Sequence, residues 1–353
     1  MTYQFPEYNE IKDYEYYQGS LSFAFIKKHC EDVVIVTPEE WKDYKDYTWL
    51  DQLLSKHLAN NKKILLVPDE ETFIFPPQIE AQQVLNCYQD HDVWLVTQLG
   101  IESQLIYKFQ HQLTIKLLEL PYVLLDLCEK YYKHHGVQDL EIAVEPGQYN
   151  FLCLSGRYEP HKANLLKELA ERNLSQQGLI TMASLAGYPD WCKKICKINK
   201  LKYPAIVGEH LFQRLADHNV YNFFQIEKTY ANIPLIVHAE SSCGIFYTTE
   251  KSLWPLLLGK LYLGFGPPGN MKYIQKFYDV DINEYANLDY DCAPGNWTQE
   301  EHYNRLKTML NQNHNLIYDC KDLYDSLSLR LESARWTMGK NFYNFFVEQL
   351  KTI

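Results

Sequence analysis

No apolar run in the 353 residues approaches the ~20 that a membrane-spanning helix needs. The opening stretch MTYQFPEYNEIKDYEYY is acidic and aromatic, which is not the make-up of a secretory leader. These two absences predict a cytoplasmic protein, in a host's cytoplasm if the source is a virus. Metal-type cysteine spacing is also missing. The nine cysteines are scattered, and only Cys192 and Cys196 lie close together, with no second pair to complete a zinc site. They read as reduced thiols, and no metal is expected. Positive charge is short as well: 34 Lys and Arg face 45 Asp and Glu, a formal charge of −11. That balance excludes a protein that coats nucleic acid non-specifically, though a local basic groove remains open. Several catalytic signatures are absent. There is no G-x-x-x-x-G-K-[ST], so no ATP-type P-loop, and no G-x-G-x-x-G follows the first strand, as a Rossmann dehydrogenase requires. Neither G-x-S-x-G nor H-E-x-x-H occurs. No repeat or low-complexity segment stands out.

What is present is a globular composition, 46% apolar and 22% charged, with length for two ordinary domains. Tyrosine is abundant, at 28 residues. Aromatic packing explains that most simply, and sugar or partner contact is the alternative. The tyrosine-rich residues 1–20 read as an arm packed on the body. Short apolar runs then alternate with amphipathic ones. Asp32 to Thr37, Lys63 to Val67 and Asp92 to Thr97 predict strands, with helices after Pro38, over Trp49 to Leu58 and over Ile79 to Cys87. Leu117 to His135 predicts a longer helix interrupted by Pro121. Phe151 to Leu154 starts a second α/β unit, followed by a helix over Ala163 to Arg172, a strand over Gly178 to Ser184, a loop-rich stretch over 185–205 and a strand over Ile233 to Ala239. Thr298-Gln299-Glu300-Glu301 is a capping-box start to a helix reaching Gln312, and Asp322 to Leu350 reads as a long helical tail. The expected organisation is an N-terminal α/β lobe over 1–148, a second α/β lobe over 149–320 and a C-terminal helix over 321–353 packing back on the first lobe. A single large doubly wound domain is the alternative.

Gly244 to Tyr273 orders the second half. An apolar helix over Ser252 to Leu258 ends at Gly259, a buried strand covers Lys260 to Phe265, and the turn Gly266-Pro267-Pro268-Gly269 precedes a helix starting near Asn270. Ligands of such folds sit at the carboxyl ends of strands. A lysine and free N–H groups at a helix start could hold an anion there. Glu250 and Lys251 open the first helix. The dipole disfavours a lysine at that position, so Lys251 points to an anion, unless the pair is simply solvated. Arg157, His161 and Lys162 follow the strand FLCL, where an arginine could grip a phosphate bidentately. A helix cap with solvated cations is the plainer alternative. His238 and Glu240 end the strand IPLIVHA as candidate pocket residues, or as groups satisfied at the sheet's end. Gly266 and Gly269 loosely resemble a phosphate cradle. The acidic stretch with Asp281, Glu284, Asp289 and Asp291 reads as a solvated loop rather than a cation site.

The segment FYTTEKSLWPLLLGKLYLGFGPPGNMKYIQ resembles the TEK…GPPG signature of phage, giant-virus and bacterial proteins taken as glycosyltransferases. A similar TEK segment marks the nucleotide-sugar half of α-1,3-fucosyltransferases, which are GT-B enzymes. FLCLSGRYEPHKANLLKELAERNL is similar to that group's N-R-x-R-x-H-R strand-turn-helix, and Asn313-His314-Asn315 fits its tail. The resemblance covers roughly residues 150–320. It departs where Trp254 replaces a lysine, Ser155 an asparagine and Lys162 an arginine. It implies a GT-B-like α/β fold: two Rossmann-like lobes, a cleft and a C-terminal crossing helix. It also implies a glycosyltransferase with a nucleotide-sugar donor and no metal. The acceptor would be a glycan, a protein or, in a phage, a modified DNA base. Arg157 and Lys251 would bind the donor diphosphate, aided by His161 and Lys162. Thr249 and Glu250 would contact ribose or sugar hydroxyls, with His238, Glu240, Gly266 and Gly269 in the same pocket. An inverting enzyme would take its base from the first lobe, where Asp69, Glu70 and Asp92 are candidates. Two other readings stand beside this one: a binding protein on a degenerate version of the fold, and another α/β enzyme acting on a phosphorylated small molecule.

Overall fold

A computed structural model describes residues 21–30, 32–36, 48–60, 62–67, 79–97, 112–122, 124–126, 128, 146–155, 158–182, 187–195, 198–199, 232–240, 250–292 and 298–353. The chain is α/β and divides into two compact units. One is drawn from residues 5–126 and 340–353, the other from 127–244 and 248–339.

In the first unit, four strands form a parallel sheet in the order β1-β2-β3-β4: Val33–Val36, Lys63–Leu66, Val93–Thr97 and Lys116–Glu119. Their near-continuous apolar sequence suits strands buried on both faces, and all five residues of β3 are buried. Helices α1 (Leu21–His29), α2 (Thr48–Leu58) and α3 (Ile79–Asn86) precede β1, β2 and β3. Helix α1 is pinned by Ser22, whose backbone N–H and hydroxyl both donate to the Asp126 carboxylate, at 2.8 and 2.9 Å. Its Phe25 meets Tyr343 edge-on at 4.8 Å. One expectation is corrected here. Residues 116–119 are not the start of a long helix but strand β4, running parallel to β3 in the register Trp94↔Lys116 to Thr97↔Glu119. A helix there would leave β3 a bare edge, and Pro121 stops the strand two residues later.

The second unit holds a five-stranded parallel sheet in the order β7-β6-β5-β8-β9: Ile198–Asn199, Gly178–Met182, Phe151–Ser155, Leu235–Ala239 and Leu261–Phe265. Strands β8 and β9 are buried throughout. Phe151 pairs with Gly178, and a Cβ there would lie 2.2 Å from the Phe151 ring, so that position must be glycine. Helix α4 (Pro160–Glu171) joins β5 to β6. Helix α5 (Asp190–Ile195) and β7 occupy the stretch read as loop-rich. Helix α6 (Glu250–Leu257) joins β8 to β9, and α7 (Asn270–Gln275) follows β9. Then come α8 (Gln299–Gln312), α9 (His314–Tyr318) and α10 (Lys321–Leu350). The expected capping box at Thr298 and Glu301 is formed. The predicted helix after Pro38 and the N-terminal arm lie outside the described residues.

Gly259 stops α6, as its position after the apolar run predicts. Its φ is +63°, its N–H donates to the Leu256 carbonyl at 3.0 Å, and the Lys260 N–H reaches back to the Pro255 carbonyl at 2.9 Å. This is a Schellman motif, and it aims the chain straight into β9. A side chain at 259 would find room but not a comfortable backbone. Gly259→Ala is therefore expected to cost about 1–2 kcal/mol, with Gly259→Asn costing less. Denaturant unfolding of the two variants checks this, and equal stabilities for Ala and Gly would contradict it.

Candidate functional site

Strand β5 leads through α4 to β6 on one side, whereas β8 lies on the other side of β5 and leads through α6 to β9. The crossovers diverge, so the carboxyl ends of β5 and β8 border the crevice where open α/β sheets take their ligands. Helices α4, α6 and α7 all begin at this edge, because each follows a strand of a parallel sheet. Their first turns are stitched together by a short chain of hydrogen bonds. His161, at the second position of α4, reaches the Glu240 carbonyl beyond β8 through Nε2 at 2.6 Å. A carbonyl only accepts, so that nitrogen carries the proton. The Glu240 carboxylate, without solvent exposure, accepts from the Ser252 hydroxyl in the first turn of α6. Ser252 in turn accepts from Tyr262 of β9 at 3.0 Å and from the Asn270 amide that opens α7 at 2.9 Å. The hydroxyl's donor and both lone pairs are thus used.

Glycine makes this possible. Gly264, Gly266 and Gly269 carry the spacing G-x-G-x-x-G between β9 and α7. A Cβ at 264 would lie 2.2 Å from the Tyr262 hydroxyl, so Gly264 lets that ring lie along the strand and reach Ser252. A Cβ at 266 would press on Glu240 at 3.0 Å and on Asn270 at 3.2 Å. Gly269 has φ +83°. At the start of α7 the N–H groups of Gly269 and Lys272 donate to the Asp291 carboxylate, at 3.1 and 2.9 Å. The Gly269 end of the expected anion cradle therefore meets the chain's own carboxylate. Of the acidic stretch read as solvated, Asp281, Glu284 and Asp289 are exposed, and Asp291 alone departs from that reading, at 2% exposed. Arg305 braces the turn from α8, donating to the carbonyls of Tyr290 at 3.0 Å and Gly266 at 3.3 Å, with its guanidinium over the Phe265 ring. Its Nη1 lies 3.3 Å from His302 Nδ1, which must accept. Neither Asp291 nor Arg305 was singled out as a site residue. Only the arginine's place on an amphipathic helix hinted at burial.

The electrostatics follow from burial. Burial, and then the Lys162 charge, hold the His161 imidazole below its usual range against the pull of the Glu240 carbonyl. Burial, then Arg305 and His161, do the same for His302. Burial pushes the Asp291 carboxyl up to about 7, against the opposing N–H donors and Arg305.

The structure thus brings His161, Glu240, Gly266 and Gly269 to one edge, with Lys162 buried in the first turn of α4. His238 lies buried one residue before the end of β8, paired in register with Gly264. Glu240 is a positioning group rather than an exposed pocket lining. Ser155 bonds Tyr188 at 2.7 Å beneath the crevice. Asp92 sits elsewhere. It precedes β3 at the amino end of the sheet, is largely solvated, and lies 3.7 Å from Lys116. Glu250 and Lys251 open α6 as expected, although their side chains lie outside the described residues, as do Asp69, Glu70, Arg157 and Thr249. Among the described residues no group of three His, Cys, Asp or Glu is arranged to hold a metal ion, and no helix is long and apolar enough to cross a membrane. No family model, curated protein or solved structure matches the chain.

Two outcomes are expected. Gly264→Ala should displace Tyr262 from Ser252 and cost about 1–3 kcal/mol, measurable by denaturant unfolding. A neutral result would mean that the ring has room to move. For Asp291, an unfolded carboxyl titrates near 4 and the folded one near 7. The folded state then binds the proton more tightly, so this contribution to stability is full below ~4 and is lost as pH rises through ~7. Melting temperatures of wild type and Asp291→Asn at pH 5 and pH 8 should show wild type losing ground to the variant at the higher pH. A constant difference would mean the carboxylate stays ionised throughout.

Proposed function

We propose that the protein is a glycosyltransferase of GT-B type. In this reading, the second unit binds the diphosphate of a nucleotide sugar at the β5/β8 crevice and the glycosyl group passes to a glycan, protein or modified-base acceptor. The observation that carries this reading is Lys162. It is a cation 3% exposed in the first turn of α4, the positive end of the helix dipole, beside the crevice. The first turn of a helix is where the dipole and the free backbone N–H groups favour an anion. Further support comes from α4 itself, whose N-cap residue Glu159 makes no side-chain cap bond. At the other two helix starts the chain places its own carboxyl groups, Asp291 at α7 and Glu240 at α6.

In such an enzyme Lys162, together with Lys251 and Arg157 from the TEK and strand-turn-helix segments, neutralises the diphosphate as it leaves. This is the role a metal plays in other transferases. His161, neutral at pH 7, adds no charge of its own and fixes the start of α4 against β8. The acceptor's proton needs a base, for which Asp69, Glu70 and Asp92 stay the candidates; Asp92 precedes β3 at the amino end of its own sheet. A second reading, a nucleotide-binding protein without transfer activity, is favoured by Trp254, which stands partly buried in α6 where the resembled signature has lysine.

Thermal shift with UDP-, GDP-, CMP- and ADP-sugars, with and without magnesium or manganese, tests the proposal. A ligand at ~100 times its dissociation constant should stabilise wild type by about 2.7 kcal/mol without metal. Lys251→Ala and Lys162→Met should each abolish most of that shift. No shift with any nucleotide would overturn the donor site, and a shift only with metal would overturn the metal-free mechanism. A shift without sugar transfer to any acceptor would favour the second reading.

A further inference from the structure

Tyr158 lies three residues before His161, at the carboxyl end of β5, and remains 38% exposed. Its backbone side is fixed. Gly187 has φ +80°, and a Cβ there would lie 2.9 Å from the Cβ of Tyr158, so only glycine permits this approach. Behind it the buried Tyr188 ring stands edge-on at 5.3 Å and 87°. Tyr188 is itself anchored by its hydroxyl to Ser155 at 2.7 Å. An exposed aromatic side chain held by a buried ring and a close backbone is ordered before any ligand arrives. Little entropy is then lost when a flat ring settles on it.

The position selects the ligand. Glu159 is extended and Pro160 begins α4. Three residue steps lead from Tyr158 to His161, a span of up to roughly 10 Å, which matches the separation of base and phosphate in a nucleotide. With an anion at the start of α4, the group presented to Tyr158 is the far end of the same molecule. We propose that Tyr158 is the stacking platform for the nucleobase of the nucleotide held at the β5/β8 crevice. The inference rests on the nucleotide reading of that crevice. It assigns the base to the β5/β6 side and the sugar to the β8/β9 side.

The test measures binding of UDP, GDP, CDP, ADP and inorganic pyrophosphate to the full chain by calorimetry, for wild type, Tyr158→Ala and Tyr158→Phe. Loss of a base-stacking contact should weaken the preferred nucleoside diphosphate about 5- to 100-fold in Tyr158→Ala. Pyrophosphate affinity should be unchanged, and Tyr158→Phe should stay within about twofold of wild type. Unaltered nucleotide affinity in Tyr158→Ala overturns the platform while leaving the nucleotide site standing. An equal loss for pyrophosphate overturns it too, since Tyr158 would then only shape the start of α4. A Phe variant as weak as Ala excludes stacking. If wild type binds none of the five, the nucleotide reading fails and takes the platform with it.

Discussion

The Ser252 hydroxyl sits where α6 begins, under a carboxylate, beside a tyrosine and against an asparagine amide. Each of these partners is buried, and each would be costly to leave unpaired. Through this one oxygen, the end of β8, the middle of β9 and the starts of α6 and α7 are held in a single arrangement. Remove it and the buried Glu240, Tyr262 and Asn270 each lose this hydrogen bond. The geometry of the crevice therefore depends less on the sheet, which many sequences could build, than on a three-way hydrogen bond that few would complete.

A parallel sheet collects the positive ends of helices along one edge, and something must answer that charge. Here the chain answers most of it from within. Asp291 takes the N–H groups at the start of α7, and the Glu240 carboxylate lies by the start of α6. Arg305 and Lys162 are buried in the same neighbourhood, so the edge alternates in sign rather than forming a uniform basic patch. A chain that is strongly acidic in total can hold a local anion site on these terms. On the proposed reading, the visiting anion would meet the first turn of α4, where Lys162 lies.

Much of the fold was legible because its causes are local. The runs VVIV, KILL, VWLVT and LIVHA are too apolar and too short to be anything but buried strands. Thr298 with Glu301 specifies its own cap, and Gly259 its own helix stop. Residues 116–119 misled, since KLLELPYVLL has helix-forming leucines at helical spacing and becomes a strand only because β3 offers an edge to pair with. The site was half legible. His161, Glu240 and the Gly266 turn could be placed from their position after strands. Asp291 could not, because nothing within its acidic stretch distinguishes the one carboxylate that turns inward from the three beside it. The glycine spacing at 264, 266 and 269 hid its meaning for a different reason: the residues it accommodates, Tyr262, Glu240 and Asp291, are the protein's own.

The bonds that shape the crevice differ in how much chain they enclose. Those meeting at Ser252 join residues 10, 12 and 18 apart, whereas His161 and Glu240 are 79 apart. Closing the longer loop rather than the 12-residue one costs about 1.7 kcal/mol more in chain entropy. The Ser252 cluster can assemble as a neighbourhood event around β8 and β9, and the His161 link must wait until β5 has found its place beside them. Of the bonds at this edge, the one that ties the α4 wall to the end of β8 therefore costs the most chain entropy to close. The side of the crevice that carries Tyr158 and Lys162 thus depends on one long-range bond, where the α6 and α7 side depends on several local ones.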